Sequence, residues 1–459
     1  MTAVDAAALD VDHLRASVRG RVVAPGDEAY DQDRVVVMGG VDAHPAVIVR
    51  VADTADVAAV IATASGTGLD LAVRSGGHSA AAHSTTDGGI VLDVRDLRDL
   101  DLDVAGRTAW VGSGLTAGEI TTALAEHGLA IGFGDTGSVG VAGITLGGGI
   151  GYLVRSQGMT IDNLLAVELV TADGEVLTVD EASHPDLFWA IRGGGGNFGV
   201  ATRFRFRLHE VPQIVGGLLI QPATEEAVVA LMRAGKAAPE ALSFIANVMT
   251  CPPMPFVPES LHGELVIFSL VCWSGPVEEA DAALAPIRAA ATPIADMLQP
   301  QGYPGMYGPE EADYHPLAVA RTLFMDGVDD ADARVMLEQL KASDAPMRAV
   351  QLRPLGGAMA RVANDATAFG HRDRAVMGVV AAFYTGPEDR DATTAWVEDL
   401  ADVLRDGTAA YVNFVADEGP ERVHDAYPGA TYERLAAIKR RYDPDNVFRR
   451  NQNVAPAGA

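Results

Sequence analysis

Arg74-Ser75-Gly76-Gly77-His78 decides how this chain is read. It follows the apolar run Leu71-Ala72-Val73 and precedes Ser79. Two adjacent glycines let the backbone turn sharply and aim several N–H groups at one point, which builds the concavity that holds a diphosphate. His78 leaves that turn as a nucleophile with no bulky neighbour. A phosphate cradle ending in a histidine points to a flavin held by a covalent bond as well as by hydrogen bonds.

A second anchor lies about sixty residues on, from Gly134-Asp135-Thr136-Gly137 through Val139-Gly140-Val141-Ala142-Gly143 to Gly147-Gly148-Gly149-Ile150-Gly151. So many glycines cost conformational entropy, on the order of 0.5–1 kcal/mol each in regular structure. A chain tolerates that where something flat or highly charged lies against the backbone. Two matches to G-x-G-x-x-G occur, at Gly132-Gly134-Gly137 and Gly194-Gly196-Gly199. A nicotinamide dinucleotide fingerprint needs a strand before it and a helix after it. Gly194 to Gly199 has the reverse order, because a helical segment, Pro185 to Ile191, precedes it and the alternating run Val200 to Phe206 follows. A nicotinamide-dependent dehydrogenase is therefore disfavoured.

At 459 residues the chain exceeds a single core, and two domains are expected. No apolar stretch is long enough for a membrane span, and the first thirty residues lack the apolar core of a secretory signal, so a cytoplasmic protein is expected. A net charge of −28 repels nucleic acid and anionic membranes. Cys251 and Cys272 have no metal-type spacing and are expected to be reduced.

Residues 46 to 209 alternate short strands with helices. Strands are expected at Ala46–Val51, Leu71–Val73, Gly89–Asp93 and Thr108–Gly112. Helices are expected at Asp53–Ala64 and Thr116–Gly128, and a hairpin turns at Asp173-Gly174. From 210 to 408 glycine thins and helices alternate with strands such as Glu264–Val271 and Ala375–Tyr384, which reads as a second domain of antiparallel sheet covered by helices.

Four segments together resemble the berberine-bridge-enzyme-like branch of FAD-linked oxidases in the vanillyl-alcohol-oxidase superfamily. They are Arg74 to His78, Val139 to Gly151, Asp186 to Val200, and Tyr411-Val412-Asn413 with Tyr442 to Phe448. The resemblance implies an α+β, two-domain PCMH-type FAD-binding fold. Residues 1–209 form the FAD-binding domain, 210–408 an inserted substrate-binding domain, and 409–459 a C-terminal segment completing the first. It places FAD against Val73, Arg74, Ser75, Gly76, Gly77, His78 and Ser79. Further contacts are Asp135, Thr136, Val139, Gly140, Gly143, Gly147, Gly148, Gly149, Gly151, Tyr152 and Val200, then Tyr411, Asn413 and Asn453.

His78 matches the histidine that bonds the flavin's 8α carbon. Many relatives add a cysteinyl link at the position held here by Thr136, and a hydroxyl does not replace a thiolate, so a single link is expected. Tyr411 matches a catalytic base. The tyrosine that assists it in alcohol-oxidising relatives is Ile150 here, and Tyr152 or Arg353 is left to compensate. Val139 matches a position where valine accompanies oxidases, which favours dioxygen as acceptor. No metal site is expected. The function implied is oxidation of a C–H beside a hydroxyl of a sugar or natural product, with hydrogen peroxide as by-product. The alternatives are oxidation of a C–N bond in an amine or alkaloid, an oxidative cyclisation, and flavin binding without turnover.

Overall fold

A computed structural model describes residues 9–308 and 314–458. Its first sheet explains where the Arg74–His78 turn sits. Strand Val47–Arg50 feeds helix Thr54–Thr67, which returns the chain to strand Leu71–Arg74. Both strands pair in parallel with Ile90–Asp93 between them, and Arg21–Val23 closes one edge antiparallel. Asp53 caps the helix by accepting the Asp56 N–H, and Gly68, at φ +69°, ends it. The helix runs three residues beyond the expected Ala64, because nothing before Gly68 stops it. The parallel strands are apolar on both faces, as burial on both sides requires. The Gly76-Gly77 turn leaves the carboxyl end of one of them, the end at which open α/β sheets bind ligands.

A five-stranded antiparallel sheet follows, ordered Leu100–Asp103, Thr108–Gly112, Val200–Arg207, Leu164–Val170, Val176–Val179. Gly174, at φ +83°, turns the last hairpin as expected. Helix Ala117–Ala125 carries a complete Thr116/Glu119 capping box. The C-terminal segment packs on this unit: Leu435, Ile438 and Val454 share a core with Phe188, Phe198, Phe204 and Ala410.

The second domain is an all-antiparallel sheet of eight strands. Its order is Ala295–Asp296, Ile214–Pro222, Leu265–Trp273, Leu242–Thr250, Arg348–Pro354, Val376–Phe383, Ala318–Met325, with Gln299–Gln301 also on Ile214–Pro222. Alternation gives each strand two faces. Leu323, Leu352 and Val380 pack under helices Glu225–Ala237, Asp330–Ala342 and Arg390–Leu404. Phe324 and Met377, on the opposite face, meet Ile150 and Tyr411 of the first unit. Cys251 and Cys272 are free thiols, both buried. Among the described residues, no helix is long and apolar enough to cross a membrane, and no metal-binding cluster occurs.

Candidate active site

The two glycine runs pack back to back. A Cβ on Gly76 would strike the Gly140 backbone, and one on Gly140 would strike Ser75 and Gly76. Their other sides open onto a cavity of about 450 Å³, within the usual range for a cofactor site. Val73, Ser75, Gly76, Gly77, His78 and Ser79 line one wall, and Asp135, Thr136, Val139, Gly140 and Gly143 another. Tyr411 and Asn413 close one end.

The remaining expected contacts lie behind this lining. Arg74 is 1% exposed and turns away to donate to the Ser84 and Asp33 carbonyls, so it holds the turn from beneath. Val200 is buried at a strand start beside Val170. Asn453 follows the lining residue Gln452 without lining the cavity itself. Gly147, Gly148 and Gly149 are close-approach sites for side chains: their Cβ atoms would strike Asn413, Met159 and Thr160. Gly151 would strike Gly134. These glycines seat Tyr411 and its neighbours. Tyr152 faces a separate small cavity with Ser243 and Arg353.

Several lining residues escaped sequence reasoning. His83 lies on the wall. Burial, with the Arg450 charge second, lowers its pKa to about 4, so its imidazole is neutral. Gly195, Gly196 and Asn197 also line the cavity, as do Phe448, Arg450, Asn451 and Gln452. The glycine-rich Gly193 to Gly199 run was the available signal for the first group, and a charged and amide-rich tail, Arg449 to Asn453, for the second. One buried staple holds both groups in place. The Lys439 ammonium pairs with Asp443 at 2.7 Å, and both side chains are fully buried. It also donates to the Asn197 carbonyl at 2.7 Å and the Phe448 carbonyl at 2.9 Å. Asn197 in turn accepts the Val454 N–H and donates to the Gln452 carbonyl.

Tyr411 is 1% exposed. Its hydroxyl oxygen accepts the Gly149 N–H at 2.8 Å and the Asn413 amide at 2.9 Å. Asn413 is itself fixed by donating to the Ile144 carbonyl. Burial pushes the hydroxyl up to about 12, while Asn413, the Gly149 N–H and the Arg353 charge pull it down. Tyr152 is no substitute base, because burial, with the Asp135 charge, raises it well above the ordinary tyrosine value. Thr136 is exposed, with its hydroxyl 3.4 Å from the Asp135 carboxylate.

The residues fit a flavin dinucleotide. A Cβ on Gly77, Gly143 or Gly196 would meet no protein atom within 4 Å, and all three glycines face the cavity. Their backbones are left bare where an extended, partly charged molecule lies against them. A bare-backbone groove closed by a tyrosine, under an antiparallel sheet from a second domain, defines a two-domain flavin-dependent oxidoreductase. Comparison with known proteins bears this out. Residues 45–180 match the FAD binding domain model and residues 410–455 the berberine and berberine-like model. The chain is 30% identical to (R)-6-hydroxynicotine oxidase of Paenarthrobacter nicotinovorans, over 96% of this chain and 98% of that one. The solved structure of 6-hydroxy-D-nicotine oxidase from Arthrobacter nicotinovorans superposes with a TM-score of 0.84 at 27% identity, over 95% of this chain and 98% of that one. Xylooligosaccharide oxidase from Myceliophthora thermophila gives a TM-score of 0.85 at 23% identity, over 98% of this chain and all of that one, a likeness of fold. The chain belongs to the berberine-bridge-enzyme-like FAD-linked oxidoreductases of the vanillyl-alcohol-oxidase superfamily.

Proposed function

We propose that this protein is an oxidase that removes a hydride from a carbon bearing a hydroxyl, in a sugar or other natural product, with Tyr411 as the base that takes the hydroxyl proton. FAD, when bound, accepts the hydride and passes the electron pair to dioxygen, giving hydrogen peroxide. One observation carries the reading: the Tyr411 oxygen receives two hydrogen bonds, from Gly149 and Asn413. Two donors on one phenol oxygen stabilise the phenolate and leave its third direction for the substrate. Part of the work of the tyrosine replaced by Ile150 thus falls to a backbone N–H and an amide. In the same reading His78 forms the single covalent bond to the cofactor, because Thr136 offers no thiolate. Val139 lines the cavity, which supports its reading as the valine that accompanies dioxygen as acceptor. Small-molecule substrate approaches from the face of the second sheet that carries Ala320, itself part of the cavity lining.

A second reading is oxidation of a C–N bond in an amine. It is favoured by the 30% identity to a relative named (R)-6-hydroxynicotine oxidase. A neutral amine loses hydride without a strong base, which suits a tyrosine raised to about 12. Tyr411→Phe separates the two. With an alcohol substrate, flavin reduction by this variant falls on the order of 10²–10⁴-fold. With an amine it falls less than tenfold. An alcohol oxidised by the variant at the wild-type rate refutes the base.

A further inference from the structure

The second-domain residue Arg353 is nearly sealed in at the domain interface, at 4% exposure. Its Nε and Nη2 both donate to the Gln351 side-chain amide oxygen, Oε1, at 2.9 and 2.6 Å. Nη2 also pairs with the carboxylate of Asp135, from the first domain. Nη1 donates to the Ile150 carbonyl at 3.2 Å. Gly149, the residue before Ile150, gives its N–H to the Tyr411 oxygen. Guanidinium and phenol oxygen are therefore both pinned to one short backbone segment, Gly149-Ile150. They are also joined through Phe414, whose ring stands edge-on to Tyr411 at 5.3 Å and carries the Arg353 guanidinium 5.3 Å from its centroid.

We propose that Arg353 and Asp135, one from each domain, are opposed positioning residues for Tyr411: Arg353 favours its phenolate, and Asp135 holds that influence down by neutralising Arg353. The inference rests on the reading of Tyr411 as the base. Arg353 alone, buried beside a forming phenolate, would stabilise it strongly, because charges interact more strongly away from water. The Asp135 carboxylate, 24% exposed, offsets this. The other charged groups about Tyr411 come as neutral sets. Behind Phe369, Arg372 is paired through two hydrogen bonds with Asp162. His371 packs edge-on against Phe369, its pKa is lowered by burial, and its Nε2 faces the Asp425 and Ala426 carbonyls. The Asp135–Arg353 pair spans the domain interface, so readiness of the base depends on both domains being docked.

The test reads Tyr411 directly. Holoenzyme is labelled with tyrosine carrying 13C at Cζ, whose resonance moves on ionisation, and Tyr411→Phe assigns the peak. At pH 10.5 the ionised fraction of Tyr411 is expected to rise on the order of tenfold in Asp135→Asn and to fall by a similar factor in Arg353→Met. Near-UV circular dichroism checks the fold; if Arg353→Met is lost, Asp135→Asn alone decides the sign. A resonance unmoved by either charge change, or moved the same way by both, overturns the proposal. Full alcohol turnover by Tyr411→Phe would remove the base role while leaving this charge effect in the spectra. An unmoved resonance alongside lost turnover would do the reverse.

Discussion

Replacing Lys439 by Met strands the Asp443 carboxylate in a fully buried site. Asp443 keeps two backbone donors, the Val447 and Phe448 N–H groups at 2.8 and 2.9 Å, but no countercharge. Breaking one side of a buried pair costs about 3–5 kcal/mol. The carbonyl of Asn197 also loses its ammonium donor, adding about 1 kcal/mol, so the upper end of the range is expected. Asp443→Asn leaves the ammonium without a countercharge and is expected at the lower end of the same range, about 3 kcal/mol, because the Asn197 and Phe448 carbonyls keep their donor. The double variant Lys439→Met/Asp443→Asn lies below the sum, since neither member then leaves a bare charge. The damage should be local first. Asn197 and the Phe448–Gln452 strip both line the cavity and both hang from this ammonium. Urea unfolding measures the total, hydrogen exchange over residues 443–458 measures the local part, and the ratio of visible to ultraviolet absorbance measures flavin content. Lys439→Met should lower all three. A loss under 1 kcal/mol would refute the energetic argument. Full stability loss with unchanged flavin content would refute the claim that the staple builds the cavity wall.

Further outcomes follow from the same site. His78→Ala should abolish covalent attachment, so that acid precipitation releases the flavin and intact mass shows no added FAD; mass retained in the variant places the bond elsewhere. His83, held neutral with its pKa lowered to about 4, makes the fold acid-sensitive. Stability from this group is complete above the ordinary histidine value of about 6.5 and is lost as pH falls toward 4, so between pH 7 and 4.5 wild type should lose about 2–3 kcal/mol more than His83→Asn in urea titrations. Val139→Leu, which thickens the cavity wall, should slow reoxidation of reduced enzyme in air at least tenfold while leaving anaerobic reduction within about threefold; equal reoxidation rates would remove Val139 from the oxygen path.

What could be read in advance follows the range of the interactions involved. The strands of the parallel sheet, the capped helices and the Asp173-Gly174 hairpin are set by local periodicity, caps and turn residues, and their ends fall within a few residues of expectation. Thr136 and Ile150 were legible as departures from a motif. Which way a glycine faces was not. Gly143 and Gly148 look alike in sequence, yet one backbone is bare to the cavity and the other is covered by Met159 and Tyr411. That difference is made by residues up to 263 positions away. His83 shows the same limit in reverse: a lone histidine in sequence, it lies on the cavity wall, where burial and the charge of the distant Arg450 lower its pKa. The Asp135–Arg353 pair joins residues from two domains, and no local pattern reports it. The motifs therefore identify the cofactor groove, whereas the chemistry around Tyr411 depends on contacts that exist only once the inserted sheet has docked on it.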